Sequence, residues 1–337
     1  MNMFYLELPK KYEREYLNCM KDGLISRICE GVGSSKIRLT TREKSILLPK
    51  WNTDNPDTTI IERLLIAEPK ELKSLNDSLM QELMKHCTKQ DKLKNRLLKI
   101  FDYDGIFNDT SKKRAFELSK HIGANTCCYC NRQYTFTVEK QHIVKDKKGV
   151  IVVGAKNKNE RIARPSFDHW FPKSEYPLLS LSLYNLISCC SVCNSSVKGT
   201  IKTDLNKHIH PYVHDDGIPR ITFKAIPSTN PDYKWTISLD RQEHSKEDET
   251  IKLFCLDEIY KMHDQLELKD IMDLREGYSD EYIAYLIKSL HENSVDVSLS
   301  FEDIYRIMFG AEYNDDYVLN RPLGKMKNDV IKSLLKL

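Results

Sequence analysis

Two cysteine pairs with the spacing C-x2-C, Cys127 with Cys130 and Cys190 with Cys193, stand 59 residues apart in the middle of this chain. Two such pairs are typical of a site in which four thiolates hold one zinc ion in a closed tetrahedron. A closed zinc site contributes folding energy and leaves no position for a reactive water. We therefore expect a structural zinc ion that ties two distant segments of the chain together.

The other cysteines do not have the spacing of a disulfide framework, although the chain has ten cysteines in all. Paired cysteines in a reducing compartment indicate metal or redox chemistry rather than covalent cross-links. A thioredoxin-like redox motif would have one C-x2-C pair beside a βαβ pattern, whereas this chain has two separated pairs. The zinc interpretation is therefore favoured, with Cys128 and Cys189 as the adjacent alternative ligands.

The composition predicts a folded protein that does not enter a membrane. Hydrophobic residues make up 40% of the 337 residues and charged residues 30%, which is ordinary for a globular protein. No apolar run approaches the roughly 20 residues that are needed to span a bilayer. The N-terminus lacks a basic region followed by an apolar core, so no secretory signal is predicted and we expect a cytoplasmic location.

Charge is distributed unevenly along the chain, although the formal net charge is only +3. Residues 139–164 contain eight basic and three acidic side chains, whereas residues 240–316 contain 21 acidic and eight basic ones. This pattern predicts a basic surface for a polyanion and an acidic segment that suits a protein partner better than DNA. The side chains predicted to contact a nucleic-acid backbone are Lys145, Lys147, Lys148, Lys156, Lys158, Arg161, Arg164 and, beside Ser174, Lys173.

Hydrophobic periodicity and breaker residues predict an α+β protein of three segments. Residues 1–122 form a helical N-terminal lobe, which includes one long helix from Pro69 to about Ile100. Residues 123–215 form a central core, and residues 216–337 form a short β segment followed by an acidic helical lobe. In the core we expect a hairpin of residues 134–138 and 150–153, strands at 167–169 and 179–183, and a helix beginning at Cys190 or Ser191.

Asp168, His169, Asn185 and Asn194 are the residues of this core that suggest catalysis. Hydrolysis of a phosphodiester requires an activated water and stabilisation of charge on the phosphate. Histidine is the natural base near neutral pH, and a hard cation such as magnesium prefers oxygen ligands and keeps several waters. Because neighbours on a strand point to opposite faces, Asp168 and His169 cannot both face one metal ion, which suits one ligand and one base.

The string DHWFPKSEYPLLSLSLYNLISCCSVCNSSVKG, residues 168–199, resembles the HNH, or ββα-metal, endonucleases of the zinc-framed type. The resemblance covers about residues 125–200 and implies a zinc-braced ββα-metal nuclease core between the two helical lobes. It implies that Asp168 and Asn194 bind a catalytic divalent cation and that His169 is the general base. It further implies that Asn185 ties down the loop and helps to orient the histidine.

This chain departs from many members of that family at Lys198, where they have a further histidine four residues after the position of Asn194. The departure favours a sparse site for Mg²⁺ or Mn²⁺ over a three-histidine site, and it makes Lys198 a further candidate for a phosphate contact. The order of a nuclease core followed by a helical tail is similar to the HNH nucleases of bacterial anti-phage systems. Septu-type effectors, which act beside an ABC-like ATPase, are one example.

We therefore expect a metal-dependent endonuclease that cuts nucleic acid, above all double-stranded DNA, and leaves 5′-phosphate and 3′-hydroxyl ends. An ATPase is a candidate partner for the C-terminal lobe. Two alternatives stay open: a non-catalytic zinc-ribbon module that binds nucleic acid or a protein partner, and a nuclease of structured RNA such as tRNA. A second metal site at His208, His210 and His214 is less favoured than a polar loop.

Overall fold

The structure is a computed structural model that mixes helices with small sheets, 53% helix and 11% strand, as expected for an α+β protein. It divides into two compact units that alternate along the sequence. The helical unit comprises residues 7–123 and 135–188, and the cysteine unit comprises residues 1–6, 124–134 and 189–337. The described residues are 4–33, 37–85, 87, 89–109, 113–140, 160–214, 221–277, 279, 281–282, 285, 288–289 and 300–335.

The boundaries of these units differ from those of the three consecutive segments predicted from the sequence, 1–122, 123–215 and 216–337. Residues 135–188 group with the N-terminal helices because side chains bridge them. The Tyr16 hydroxyl donates to the Leu181 carbonyl over 2.7 Å, and the Ser182 hydroxyl donates to the Leu64 carbonyl. The strand that carries Asp168 and His169 thus belongs to the helical unit rather than to a separate core domain.

Among the described residues, the first part of the helical unit contains seven helices whose apolar sides form its core. Local signals explain several of the boundaries. Thr40 and Glu43 form a reciprocal capping box, and Pro69 occupies the first turn of its helix, where its missing N–H costs nothing. The helices are α1 (Lys10–Glu30), α2 (Thr41–Leu47), α3 (Thr59–Ile66), α4 (Pro69–Met84), α5 (Gln90–Ile100), α6 (Tyr103–Ile106) and α7 (Arg114–Ile122).

The single helix predicted from Pro69 to Ile100 is wrong, because two helices, α4 and α5, occupy this stretch. The buried leucines of α4 end at Leu83, and the next buried leucine is Leu93 in α5. Between them the sequence is almost wholly polar, so no apolar face holds a continuous helix against the core.

Short strands complete the helical unit. Strand β1 (Val138–Lys140) pairs antiparallel with β2 (Glu160–Ala163). The predicted hairpin began earlier, at Tyr134, but Tyr134 instead forms an isolated bridge with Thr126. Its other predicted strand, residues 150–153, lies outside the described residues.

Strand β3 (Ser166–His169) pairs with β4 (Leu186–Cys189), and only the first of these strands is where the sequence predicts one. The predicted strand 179–183 is wrong, since Pro177–Leu179 and Leu183–Asn185 form 3₁₀ turns. The Ser180 hydroxyl donates to the Pro177 carbonyl over 2.8 Å and favours the turn over an extended chain.

The cysteine unit contains a hairpin and the C-terminal helices. Strand β5 (Thr222–Pro227) pairs antiparallel with β6 (Trp235–Asp240). The Phe223 N–H of β5 donates over 2.9 Å to the carboxylate of Asp329 in the last helix. The helices are α8 (Lys246–Leu253), α9 (Leu256–Lys261), α10 (Lys269–Gly277), α11 (Phe301–Phe309) and α12 (Gly324–Leu335), with π-helical turns at Val192–Lys198 and Asp264–Leu268 and a 3₁₀ turn at Asp315–Asn320.

Among the residues that the structure describes, no helix combines the length and the apolar character that crossing a membrane requires.

Candidate functional site

The four predicted zinc ligands come together in the cysteine unit. The sulfurs of Cys127, Cys130, Cys190 and Cys193 all lie within 4.8 Å of one another, and none of these residues is more than 5% exposed. The Sγ atoms of Cys130 and Cys190 are 4.0 Å apart. Zinc–sulfur bonds of about 2.3 Å in a tetrahedron place sulfurs about 3.8 Å apart. The cluster can therefore bind a metal ion such as zinc, and none of its cysteines forms a disulfide.

Local backbone geometry brings each pair of sulfurs together. In the first pair, the Asn131 N–H donates to the Cys127 carbonyl over 2.7 Å and closes a turn. Asn131 has a left-handed backbone (φ +47°), which asparagine tolerates better than most residues. In the second pair, the Cys193 N–H lies 3.4 Å from the Cys190 sulfur, and the Asn194 N–H donates to the Cys190 carbonyl over 3.1 Å.

The protonation of these thiols depends on their surroundings. Burial raises the pKa of Cys127 well above its ordinary value. Hydrogen bonds from the neighbouring thiols and from the Cys193 N–H lower the pKa of Cys190. A metal ion binds thiolates, so its binding would release protons from these thiols. The positive charge of the ion would then stabilise the negative thiolates in their buried surroundings. The donor set of four buried thiols fits a soft or borderline ion rather than magnesium.

Residues outside the pairs hold the cysteine turn in place. The Tyr260 hydroxyl donates to the Cys130 carbonyl over 2.8 Å. The Asn131 amide donates to the Thr126 hydroxyl and to the Val318 and Arg321 carbonyls, and accepts from the Lys325 N–H over 3.1 Å. Sequence analysis did not identify Asn131. Its position directly after a C-x2-C turn, where a left-handed residue is needed, is the signal that would have found it.

His169 ends strand β3 in the helical unit, with a partly exposed side chain. Its Nε2 lies 3.0 Å from the main-chain oxygen of Ser180. A carbonyl only accepts, so Nε2 carries the proton, and Nδ1 is the basic nitrogen of the neutral ring. The Tyr103 ring meets the His169 ring edge-on, with centroids 4.5 Å apart. The imidazole is thus fixed in both orientation and tautomer.

Asn185 bonds to the segment that follows His169. Its side-chain oxygen accepts from the Phe171 N–H over 2.7 Å, and its amide donates to the Phe171 carbonyl over 3.1 Å and to the Leu179 carbonyl over 2.9 Å. The main-chain oxygen of Asn185 accepts from the Trp170 N–H over 3.1 Å. Asn185 is fully buried, so these bonds form away from water, where such polar groups must be paired.

The two residues predicted to bind a catalytic cation belong to different units. Asp168 precedes His169 in β3 of the helical unit and is only 2% exposed. Asn194 lies in the π-helical turn Val192–Lys198 of the cysteine unit, and its main-chain oxygen accepts from the Gly199 N–H over 3.0 Å. The predicted helix after Cys190 is therefore present as one wide turn. Both residues remain candidate ligands.

The residues predicted to contact nucleic acid have mixed placements. Lys145, Lys147, Lys148, Lys156 and Lys158 lie outside the described residues. Arg164 donates to the Pro165 carbonyl and to the Asn108 side chain, and burial lowers its pKa. The Arg161 guanidinium lies 5.6 Å from the centre of the Phe116 ring.

The side chain of Lys173 is 40% exposed and pairs with Asp104 over 3.0 Å. Lys198 is 1% exposed, and a contact between its ammonium and an external phosphate would require the surrounding structure to open. Its role in binding nucleic acid stays a prediction that this burial disfavours.

A second group with metal-ligand chemistry in the described residues is His244, Asp248 and Glu249. Asp248 already accepts from Lys252, Arg241 and the His244 N–H, which lowers its pKa to about 2. It anchors the start of helix α8, and we assign no metal there. His208, His210 and His214 do not come together as a metal site among the described residues.

No family model matches this chain, and no curated protein or solved structure is detectably similar to it.

Proposed function

We propose that this protein is a metal-dependent HNH-type endonuclease that hydrolyses phosphodiester bonds in nucleic acid, with double-stranded DNA as the favoured substrate. The observation that carries the proposal is the fixed imidazole of His169, whose Nε2 donates to the Ser180 carbonyl. That bond leaves Nδ1 as the nitrogen able to take a proton from water. His169 directly follows a buried carboxylate, Asp168, in the chain. The segment after His169 is held by hydrogen bonds to Asn185.

In the proposed reaction His169 accepts the proton of the attacking water at Nδ1. Asn185 acts as a positioning residue, because its three side-chain hydrogen bonds hold the chain on either side of the turn that presents Ser180. Fixed groups of this kind need no reorganisation during the reaction. Tyr103 restricts the imidazole from one side.

Asp168 and Asn194 are the proposed ligands of Mg²⁺ or Mn²⁺. Carboxylate and amide oxygens are the ligands that such hard cations prefer. When bound, the cation would stabilise negative charge on the phosphate and on the leaving oxygen. Asp168 is as buried as Lys198, so a cation would reach its carboxylate only if the surrounding structure opened; once there, it would be held strongly because the effective dielectric constant is lower than in water.

The zinc ion proposed at Cys127, Cys130, Cys190 and Cys193 would be structural, because four thiolates leave no open position. We place the protein in the cytoplasm, where reducing conditions keep these thiols available for a metal. We also propose a role in anti-phage defence with an ATPase partner, on the likeness to Septu-type nucleases. The acidic segment 240–316 would contact that partner.

The test is cleavage of supercoiled plasmid DNA with and without added Mg²⁺ or Mn²⁺. We expect nicking and linearisation that require the cation, and a fall of about a hundredfold or more in His169→Ala. His121→Ala is the matched control, because His121 lies in the same unit on helix α7, where it contacts the Glu117 carbonyl and, on α1, Tyr12 and Glu15.

Cleavage at the original rate in His169→Ala would remove the histidine from the mechanism. Absence of cleavage with either cation would favour the non-catalytic zinc-ribbon alternative, in which the protein binds nucleic acid without cutting it. Faster cleavage of tRNA than of DNA under the same conditions would favour the RNA nuclease.

A further inference from the structure

A cavity of about 500 Å³ opens in the helical unit and adjoins His169. Two of its lining residues also contact that histidine: the Ser180 carbonyl accepts from Nε2, and the Tyr103 ring packs edge-on against the imidazole. A volume of this size is in the range of small-molecule sites, about 300–1,000 Å³. A ligand in the cavity would contact residues that themselves contact the proposed base.

One wall of the cavity is apolar. Ile37, Leu98 and Phe101 line it together with the ring of Tyr103. The Tyr103 ring already has neighbours, since Phe107 stacks at 5.3 Å and the Lys173 ammonium lies 5.2 Å from the ring centre. The aliphatic side chains of Ile37 and Leu98 rather than the Tyr103 ring are therefore the surface on which a flat ring would lie.

The carboxylates in the lining are already compensated. Asp102 accepts from its own helix start at Gly105 and pairs with Arg27 over 3.4 Å. Asp104 pairs with Lys173 over 3.0 Å. Their negative charge therefore opposes an anionic ligand less than two isolated carboxylates would.

A cation remains after these pairs. The Arg96 guanidinium binds Glu43, which is 2% exposed and does not line the cavity. Lys99 is exposed and lines the cavity, and no ion pair holds it in the part of the chain that the structure describes. Asn95, one turn before Lys99 on helix α5, adds an amide that can both donate and accept. The site thus combines an aliphatic wall, an amide and a cation.

We propose that this cavity binds one unpaired nucleotide of the substrate strand, an inference that rests on the proposed nuclease function. The base lies against Ile37 and Leu98, and Asn95 bonds to its edge. Lys99 binds the phosphate of that nucleotide through a charge-assisted hydrogen bond. A nucleotide fits because it joins a flat, weakly polar ring to an anion. The lining offers an aliphatic surface for the ring and a cation for the anion.

The proposal narrows the substrate class. A base within a continuous duplex is stacked and paired, and it can enter a pocket only if it is extruded at the cost of its stacking and pairing. A strand with an unpaired nucleotide avoids that cost. We therefore expect faster cleavage of a duplex that carries a single unpaired nucleotide than of the same duplex fully paired.

Binding is tested by titrating the intact protein with deoxynucleoside and ribonucleoside 5′-monophosphates by calorimetry, without added divalent cation. We expect binding by at least one sugar series. Lys99→Glu should weaken it about tenfold or more, as expected for loss of a charge-assisted bond. Leu98→Trp should weaken it by filling the cavity. Lys92→Glu is the matched control, because Lys92 lies on the same helix and does not line the cavity.

The outcomes separate this inference from the nuclease proposal. Absence of mononucleotide binding, or equal loss in Lys92→Glu and Lys99→Glu, overturns the pocket even if the protein cuts plasmid DNA. Binding that is lost only in Lys99→Glu and Leu98→Trp, together with faster cleavage of the unpaired substrate, supports it. Binding without cleavage of any nucleic acid overturns the assignment of this nucleotide to a substrate strand.

Discussion

The Nε2 of His169 lies 3.0 Å from the main-chain oxygen of Ser180, which comes eleven residues later in the chain. The acceptor is a backbone atom, so no substitution at position 180 removes it directly. What holds it in place is the turn between β3 and β4, which Asn185 and the Ser180 hydroxyl stabilise. The tautomer of the histidine is therefore set by a loop conformation.

The tautomer can be measured directly. In ¹⁵N-labelled protein, long-range nitrogen–proton spectra at a pH where His169 is neutral should show the proton on Nε2, because the Ser180 oxygen can only accept. The His169→Ala variant assigns the signal. A ring protonated on Nδ1 would contradict both the hydrogen bond and the proposed role of Nδ1 as base.

Asn185→Ala should destabilise the protein by about 3 kcal/mol, because it leaves the Phe171 N–H and two buried carbonyls without their partner. Urea unfolding measures the change. Asn185→Asp should lose at least as much, since it keeps the acceptor for the Phe171 N–H but sets a buried carboxylate oxygen against the Phe171 and Leu179 carbonyls, which also only accept. Asn55→Ala, at an exposed loop position, is the control and should leave the midpoint unchanged.

Purified protein should contain about one zinc ion per chain, bound at the four buried cysteines. Cys193→Ser should abolish that content and lower the melting temperature, because the ion supplies folding energy. Cys87→Ser tests a cysteine outside the cluster, and its zinc content should match the wild type. Full metal content in Cys193→Ser, measured by elemental analysis, would rule the cluster out as the site.

Asn131→Ala should loosen residues 314–325 selectively. The side chain of Asn131 binds the Val318 and Arg321 carbonyls and the Lys325 N–H, so its loss leaves buried main-chain groups unpaired. Amide hydrogen exchange should become faster in that segment and in the cysteine turn. Asn206→Ala, which removes an exposed side chain, should change neither region, and a uniform increase along the chain would argue against a local tie.

The protein should lose stability as the pH falls below about 6.5, and His210 should account for part of the loss. Burial lowers the pKa of His210 to about 3. Between these two values the unfolded chain binds a proton at this histidine and the folded chain does not. Unfolding is therefore favoured by up to about 1.4 kcal/mol per pH unit.

His210→Asn tests this origin, because asparagine keeps an acceptor for the Tyr212 N–H but does not titrate. The free energy of unfolding should depend less steeply on pH between 7 and 5 in this variant, by about one proton. His244→Asn, at an exposed histidine, should leave the slope as in the wild type. An unchanged slope in His210→Asn would show that the acid sensitivity arises elsewhere.

The cysteine cluster could be predicted from sequence because its ligands obey a fixed local spacing, and four of the ten cysteines meet as expected. The left-handed backbone of Asn131 follows from its place after the cysteine turn, but its bonds to Val318, Arg321 and Lys325 could not be predicted, and neither could the contact of Tyr103 with His169, since these partners lie far along the chain. The division between α4 and α5 was not predicted for a different reason. Helical apolar periodicity before and after the break suggested one helix, although the polar stretch between them has no apolar face to pack against the core. The second strand was predicted at residues 179–183 rather than at β4 because that sequence is apolar enough for a strand, whereas the Ser180 hydroxyl favours a turn there.

The two halves of the cysteine cluster are separated by the stretch of chain that contains Asp168, His169 and Asn185. An ion bound to all four sulfurs would therefore act as a removable cross-link that closes a loop of 59 intervening residues. Closing a loop of that length restricts the unfolded chain by an amount worth about 4 kcal/mol in the simplest entropy treatment. Loss of the ion would give the unfolded chain more conformational freedom in the stretch that contains the candidate catalytic residues. The folded state of that stretch would then be less favoured, through chain connectivity alone.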